Sequence, residues 1–182
     1  MNLTRFEIEG LLLIEPKVFG DARGFFLESW NELRYREAGL AATFVQDNQS
    51  FSRRGALRGL HFQNPAPQAK LVSVLQGEVF DVAVDIRRRS PTFGRWHGVN
   101  LSAENKRQFF IPPGFAHGFA VLSDAALFFY KCTDFYAPQH EVTVAWDDPD
   151  IGIQWPMANP VLSDKDRRGL RLKDVPVEKL FA

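Results

Sequence analysis

Short apolar or alternating runs, each closed by turn-forming residues, are the feature that most constrains how this chain can fold. They include "LVSVLQ", "EVFDVAVDI", "GFAVLS", "ALFFYKCTDFY" and "EVTVAW", and Gly, Pro, Asn and Ser separate them. Runs of this length with a period of two are typical of β-strands, and many of them at even spacing favour a sandwich or a barrel. The sequence therefore predicts an all-β protein.

Only one segment, "SWNELRYREAGL", has the pattern of a helix. We predict that Ser29 caps it, that Glu32 completes a capping box and that Gly39 ends it. No internal repeat and no Gly/Ser-rich or charged linker divides the chain. We therefore expect a single domain over residues 1–182, with a few short helices beside the strands.

The charge balance excludes whole classes of partner. Lys and Arg together number 22, as do Asp and Glu, so the net charge is zero and no overall field attracts nucleic acid or an anionic membrane. The only cysteine, Cys132, has no partner for an intrachain disulfide, which fits a cytoplasmic location. The N-terminal apolar run is too short to span a membrane and lacks the features of a signal peptide. An anionic small molecule must therefore be bound by local cations.

Several common reaction centres are not signalled. The chain contains no P-loop, no Rossmann glycine motif and no G-x-S-x-G elbow. In "PPGFAHGF", His117 follows a Pro-Gly turn as in metal-binding cupin barrels, but Gln63 stands two residues after His61, where a second imidazole ligand would be needed. We therefore expect no catalytic metal and no cofactor site of the P-loop or Rossmann kind.

Strand alternation places Tyr130 and Tyr136 on one face of "FFYKCTDFY". If that face lines a cavity, Tyr130 supplies an acid and Tyr136 a ring on which a flat ligand can stack. The alternative is that both rings belong to an aromatic core. Spacing alone favours the core for Tyr136 and favours core and cavity equally for Tyr130.

His61 has a side chain suited to base chemistry near neutral pH. Strict alternation puts Arg58 and His61 on opposite faces, so both reach one cavity only if Gly59 forms a bulge. Lys70 begins the next strand and points inward or to a barrel rim, although an exposed lysine is the more common case.

Two charged motifs have structural interpretations. In "LSDKD", Ser163 and Asp166 form an S-x-x-D pattern that favours a helix cap. The "RRR" of residues 87–89 indicates a solvated loop rather than a phosphate site.

Eight blocks in order give the chain a resemblance to a known family: "DARGFFLESW", "VQDNQSFS", "LRGLHFQ", "KLVSVLQGEVFDVAVDIRRRSPTFG", "FFIPPGFAHGF", "YKCTDFYAP", "WDDPDIGI" and "LSDKD". The chain closely resembles dTDP-4-dehydrorhamnose 3,5-epimerases from about Leu12 to Asp166. The resemblance implies a cupin-type β-jelly roll, usually a homodimer, that inverts C3 and C5 of dTDP-4-dehydro-6-deoxy-glucose without metal or cofactor.

The resemblance also implies roles for individual residues. His61 is the base, Asp166 orients it, Tyr130 is the acid on the opposite face, and Lys70, with Asp81 nearby, stabilises the enolate. The implied contacts to the nucleotide sugar are Arg23, Glu28, Gln46, Asp47, Asn48, Arg58, Lys70, His117, Tyr136 and Glu141. The pattern departs from the family after "HE", where Val142 and Thr143 stand in place of an Arg-Gly pair beside Glu141.

Three other functions stay open on the sequence. The first is a monofunctional epimerase that inverts one carbon of a dTDP-4-keto-deoxysugar in an antibiotic sugar pathway. The second is a cupin that binds a nucleotide sugar without catalysis, for which a complete acid and base set is not needed. The third is a metal-dependent cupin enzyme, which the missing ligands disfavour.

Overall fold

The computed structural model describes all residues from 1 to 182 and consists mainly of strands. The strands are β1 (Asn2–Arg5), β2 (Leu12–Glu15), β3 (Val18–Asp21), β4 (Gly24–Leu27), β5 (Gln46–Arg53), β6 (Leu57–Gln63), β7 (Lys70–Gln76), β8 (Glu78–Asp85), β9 (Trp96–Ser102), β10 (Gln108–Ile111), β11 (Phe115–Val121), β12 (Ala125–Cys132) and β13 (Glu141–Thr143). The helices are α1 (Glu32–Glu37), α2 (Asp164–Arg167) and 3-10 turns at Pro138–His140, Leu172–Asp174 and Val177–Lys179. The predicted all-β class is confirmed.

Two antiparallel sheets pack face to face. One has the strand order β1-β2-β10-β7-β12-β5 and the other β13-β6-β11-β8-β9, while β3 and β4 form a separate hairpin. Apolar side chains that alternate along the strands fill part of the space between the sheets, among them Val72, Val79, Leu101, Phe109, Phe119 and Phe128. This arrangement is the jelly-roll sandwich that the resemblance implies.

The outer faces of both sheets are covered by other parts of the chain. Helix α1 buries Tyr35 against Ile14 and Leu71 of the six-stranded sheet. The C-terminal segment buries Leu172 and Val175 against the five-stranded sheet. Because each sheet is packed on its outer face, the strands that line the space between the sheets are held in place.

Helix α1 begins at a different cap from the predicted one. The Asn31 side chain accepts a hydrogen bond from the Arg34 amide at 3.2 Å, so Asn31 is the N-cap and the prediction of Ser29 is wrong. The Ser29 carbonyl instead accepts from the Tyr35 hydroxyl at 3.0 Å, which holds Ser29 before the helix. Gly39, with a φ of 102°, follows the helix end as predicted. Neither α-helix is long and apolar enough to cross a bilayer.

The "RRR" segment is only partly a solvated loop. Arg88 and Arg89 are exposed, but Arg87 bonds the buried Asp85 carboxylate at 2.8 Å and lies over the ring of Phe115. A buried carboxylate needs a charged partner, which is why one of the three arginines is drawn inward.

Candidate active site

A cavity of about 620 Å³ lies between the two sheets and is lined by strands of both. Its lining includes ten of the residues singled out by the sequence: Gln46, Asn48, Arg58, His61, Lys70, His117, Tyr130, Tyr136, Glu141 and Asp166. Titratable and aromatic side chains from five strands and α2 therefore converge on one enclosed space.

His61 is held by a carboxylate from the far end of the chain. Its Nε2 lies 2.6 Å from Oδ1 of Asp166, and Oδ2 of Asp166 accepts from the Ser163 hydroxyl at 2.7 Å. Burial alone would raise the pKa of Asp166, but the hydrogen bonds from His61 and Ser163 outweigh it and lower that pKa. With Nε2 donating to the carboxylate, Nδ1 of His61 carries the lone pair that can accept a proton.

Gly59 brings Arg58 and His61 to the same side of β6. In the register of β6 and β11, His117 pairs with His61 and Phe119 pairs with Arg58. An advance of two residues along β11 therefore matches an advance of three residues along β6. The extra residue is a bulge, and Gly59 adopts a φ of 112° there. A Cβ atom at Gly59 would lie 2.6 Å from the His117 carbonyl, which leaves no room for a side chain. The predicted bulge is confirmed.

Tyr130 and Lys70 approach the cavity from the opposite sheet. The two residues lie on neighbouring strands, and the Lys70 ammonium is 6.0 Å from the centre of the Tyr130 ring. Burial lowers the pKa of Lys70, although the charges of Glu141 and Asp81 oppose that shift. Burial also raises the pKa of Tyr130, so the phenol stays protonated near neutral pH.

A second histidine lies beside His61 in the register of the five-stranded sheet. His117 is buried, and its Nε2 lies 3.0 Å from both oxygens of the fully buried Asp81. Burial lowers the pKa of His117, and the Asp81 carboxylate opposes that shift. Asp81 therefore fixes the ring of His117 with Nε2 as the donor.

Glu141 connects His61 to the rim of the cavity. Its carboxylate lies 4.0 Å from Nδ1 of His61, accepts from the Tyr136 hydroxyl at 3.2 Å and pairs with Lys165 at 2.8 Å. Strand β13 places Glu141 opposite Gln63 on β6. The departure at Val142 and Thr143 thus falls in a regular strand, and Glu141 still faces the cavity.

Three predicted substrate contacts do not line the cavity of this chain. Arg23 lies at the exposed β3–β4 turn and pairs with Asp21. Glu28 binds Arg34 at 3.1 Å, and Asp47 points outward from β5 and binds Lys131 at 2.7 Å. Alternation explains Asp47, because its neighbours Gln46 and Asn48 on β5 face inward.

Two residues that the sequence did not indicate as site residues, Lys165 and Ser163, also line the cavity. Lys165 lies between Asp164 and Asp166 in the "LSDKD" motif, and its partner Glu141 is far away in the sequence. Ser163 is the helix cap that the S-x-x-D pattern predicts, since its oxygen accepts from the Asp166 amide at 3.1 Å. The cap and the bond to the carboxylate are made by the same hydroxyl.

The cavity contains the groups that proton transfer at carbon requires. A histidine held by a carboxylate stands on one wall, a phenol on the other, and an ammonium beside the phenol. The structure contains no group of three or more His, Cys, Asp or Glu side chains arranged to bind a metal ion. The arrangement suits removal of a proton on one face of a bound molecule and delivery of a proton on the other.

The family model for dTDP-4-dehydrorhamnose 3,5-epimerase matches residues 5–174. An enzyme of that name from Pseudomonas aeruginosa is 58% identical over 176 residues, covering 96% of this chain and 97% of its own. The crystal structure of dTDP-6-deoxy-D-glucose-3,5-epimerase from Legionella pneumophila, in complex with dTDP-4-keto-L-rhamnose, has a TM-score of 0.96 at 55% identity and covers 99% of this chain and 97% of its own. A 3'-monoepimerase from Streptomyces bikiniensis, in complex with dTDP-quinovose, has a TM-score of 0.87 at 39% identity and covers 92% of this chain and 86% of its own.

Proposed function

The chain belongs to the dTDP-4-dehydrorhamnose 3,5-epimerase family, and on that premise we propose how its residues carry out the reaction. The enzyme converts dTDP-4-dehydro-6-deoxy-glucose into dTDP-4-dehydro-L-rhamnose in dTDP-rhamnose biosynthesis. C3 and C5 both flank the C4 ketone, so a proton can leave either carbon while charge moves onto the ketone oxygen. The catalytic problem is to remove that proton on one face and return one on the other.

His61 removes the proton through Nδ1, because Nε2 is engaged with Asp166 at 2.6 Å. The Asp166 carboxylate stabilises the imidazolium that forms. Lys70 neutralises the developing enolate oxygen inside a partly buried site, where a charge interaction is stronger than in water. Tyr130 then donates its proton from the opposite sheet, which inverts the carbon. Both side chains are restored by proton exchange with solvent.

The remaining cavity residues bind the nucleotide. The Nε of Arg58 donates to the Ser52 hydroxyl at 2.9 Å, which holds the guanidinium in place. Arg58 can then offer paired donors to a diphosphate. Tyr136, half-exposed at the rim, provides a ring for the thymine to stack on. The polar lining also includes Gln46, Asn48, His117, Glu141 and Lys165. A protein with no net charge can thus hold a dianion through a few converging cations.

We also propose that the enzyme is a homodimer. The β3–β4 hairpin is exposed along both strands, and Phe19, Phe25 and Phe26 are 52%, 61% and 68% exposed. Such a patch is typical of an interface. Arg23 lies in the turn of this hairpin and Glu28 directly follows it, so dimerisation through the hairpin would carry both residues toward a second copy's cavity. Light scattering should give twice the mass of the 20.7 kDa chain, and F25S/F26S should reduce it to one chain.

The observation that carries the function is the position of His61 and Tyr130 on facing sheets of one cavity. Incubation with dTDP-4-dehydro-6-deoxy-glucose in deuterated water should label C3 and C5 and give the rhamno-configured product. His61→Ala should abolish labelling while dTDP binding persists, and His140→Ala, outside the cavity, should change neither. Label at one carbon alone would identify a monofunctional epimerase, and turnover by His61→Ala would refute the role of the base.

A further inference from the structure

The loop of residues 133–137, here the Tyr136 loop, leaves β12 and carries Tyr136 to the cavity rim. Tyr136 is 52% exposed as a residue, and its side chain makes one hydrogen bond, to Glu141. Contacts of the side chain itself therefore do little to fix the orientation of the ring. Its orientation depends on how the backbone of the loop is held.

Gln63 bonds the backbone on both sides of Tyr136. Its side chain is buried, with 5% of the residue exposed. Nε2 donates to the Phe135 carbonyl at 3.1 Å and to the Ala66 carbonyl, while Oε1 accepts from the Ala137 amide at 2.8 Å. One amide thus uses both donors and its acceptor to join the Tyr136 loop to the loop after β6.

Two further glutamines hold the same loop. Oε1 of Gln46 accepts from the Tyr136 amide at 2.9 Å, and Nε2 of Gln68 donates to the Asp134 carbonyl at 2.8 Å. Backbone groups of four consecutive residues, 134 to 137, are therefore bonded by glutamine side chains from three separate segments. All three glutamines also line the cavity.

We propose that Gln63 is a positioning residue for nucleotide recognition, holding the Tyr136 ring in the orientation in which thymine stacks on it. This inference rests on the stacking role of Tyr136 in the proposed function. A preorganised ring binds its ligand without losing conformational freedom at that moment. Glutamine suits the position because a carboxylate cannot donate to two carbonyls and an apolar side chain leaves three polar backbone groups without their partner.

The test uses the Gln63→Met variant. Calorimetry measures its affinity for dTDP, and steady-state kinetics measures its kcat and KM. Stacking on one aromatic ring contributes enough that loss of its orientation should weaken dTDP binding about tenfold. KM should rise by a similar factor while kcat stays within about twofold, because His61, Asp166 and Tyr130 are not bonded to Gln63. The control is Gln49→Leu, on the exposed side of β5, which should change neither. A fall in kcat with an unchanged KM would overturn the proposal.

A double-mutant cycle with Tyr136→Ala separates positioning from general destabilisation. If Gln63 acts through the ring, Gln63→Met should have no further effect on dTDP affinity once Tyr136 is alanine. Additive losses would overturn the inference while leaving the stacking role intact. Unchanged affinity in Tyr136→Ala alone would instead refute the stacking role, and the inference with it. If Gln63→Met does not fold, Gln68→Leu, which loses a single bond to the loop, completes the same cycle with a smaller expected loss.

Discussion

His61 and Asp166 are separated by 105 positions in the sequence, yet Nε2 of one lies 2.6 Å from Oδ1 of the other. The carboxylate is in the first turn of α2, where the Asp166 amide is capped by Ser163. The cap that starts this helix therefore also sets the position of the carboxylate. His61, the proposed base, therefore depends on a helix of four residues to keep its tautomer.

Asp166→Asn should lower kcat by about 10²- to 10⁴-fold, the range that a positioned acid–base group contributes. The amide is neutral and cannot stabilise the imidazolium, and it cannot accept on both sides as the carboxylate does from His61 and Ser163. Steady-state kinetics with saturating substrate would measure the loss. The matched control is Asp164→Asn in the same helix turn, whose side chain is 94% exposed and whose substitution should leave kcat unchanged. Equal effects in the two variants would refute the role of Asp166.

Gly59→Ala should destabilise the protein by more than about 1 kcal/mol, because alanine is strained at a φ of 112° and its Cβ would lie 2.6 Å from the His117 carbonyl. Activity should fall as well, since the bulge brings Arg58 and His61 into one cavity. Denaturant unfolding measures the stability. Gly55→Ala separates the two causes, since Gly55 has a φ of 83° but a Cβ there meets nothing closer than 4.0 Å. A loss no larger than that of Gly55→Ala would show that the close approach to β11 costs nothing.

Stability should decline as pH falls below about 6.5, the ordinary pKa of histidine. Burial lowers the pKa of His117, although Asp81 opposes the shift. The histidine is therefore protonated more readily in the unfolded chain than in the folded protein. This stability is fully present above the unfolded pKa and is lost as pH falls toward the lower folded pKa. The charge of the neighbouring Lys70 acts in the same direction.

Denaturant unfolding of wild type and His117→Gln between about pH 5 and pH 8 checks this expectation. The decline should be smaller in the variant, with a remainder from His97, whose pKa burial also lowers. Identical declines in the two proteins would contradict the assignment to His117.

Much of the fold and the site could be predicted because the signals are local. Alternation along β12 places Tyr130 inward, and the turn residues between short apolar runs indicate the strands. The bulge at Gly59 could be anticipated because two side chains three positions apart needed one cavity. The resemblance supplied Asp166, for which the local pattern offered only a helix cap.

What could not be predicted depends on contacts across the chain. Lys165 is identified by its bond to Glu141, 24 positions away, and Gln63 by bonds to a loop more than 70 positions away. Asn31 rather than Ser29 caps helix α1. The Ser29 carbonyl accepts from the Tyr35 hydroxyl and the Gln108 side-chain amide, and these bonds hold Ser29 before the helix. No single-sequence pattern reports such partners, since they are set by how the sheets pack.

Tyr130→Phe should separate proton removal from inversion. The variant keeps the ring on the wall opposite His61 but has no proton to deliver, so product formation should fall by about 10²- to 10⁴-fold. His61 can still take a proton from the substrate and return one to the same face. In deuterated water the substrate should therefore acquire label with its configuration retained, which NMR at C3 and C5 would detect. Tyr35→Phe, which removes a buried hydroxyl bonded to Gln108 outside the cavity, should still invert both carbons. Inversion at the wild-type rate by Tyr130→Phe would mean that another group delivers the proton, and loss of label altogether would mean that the phenol is needed for the first step as well.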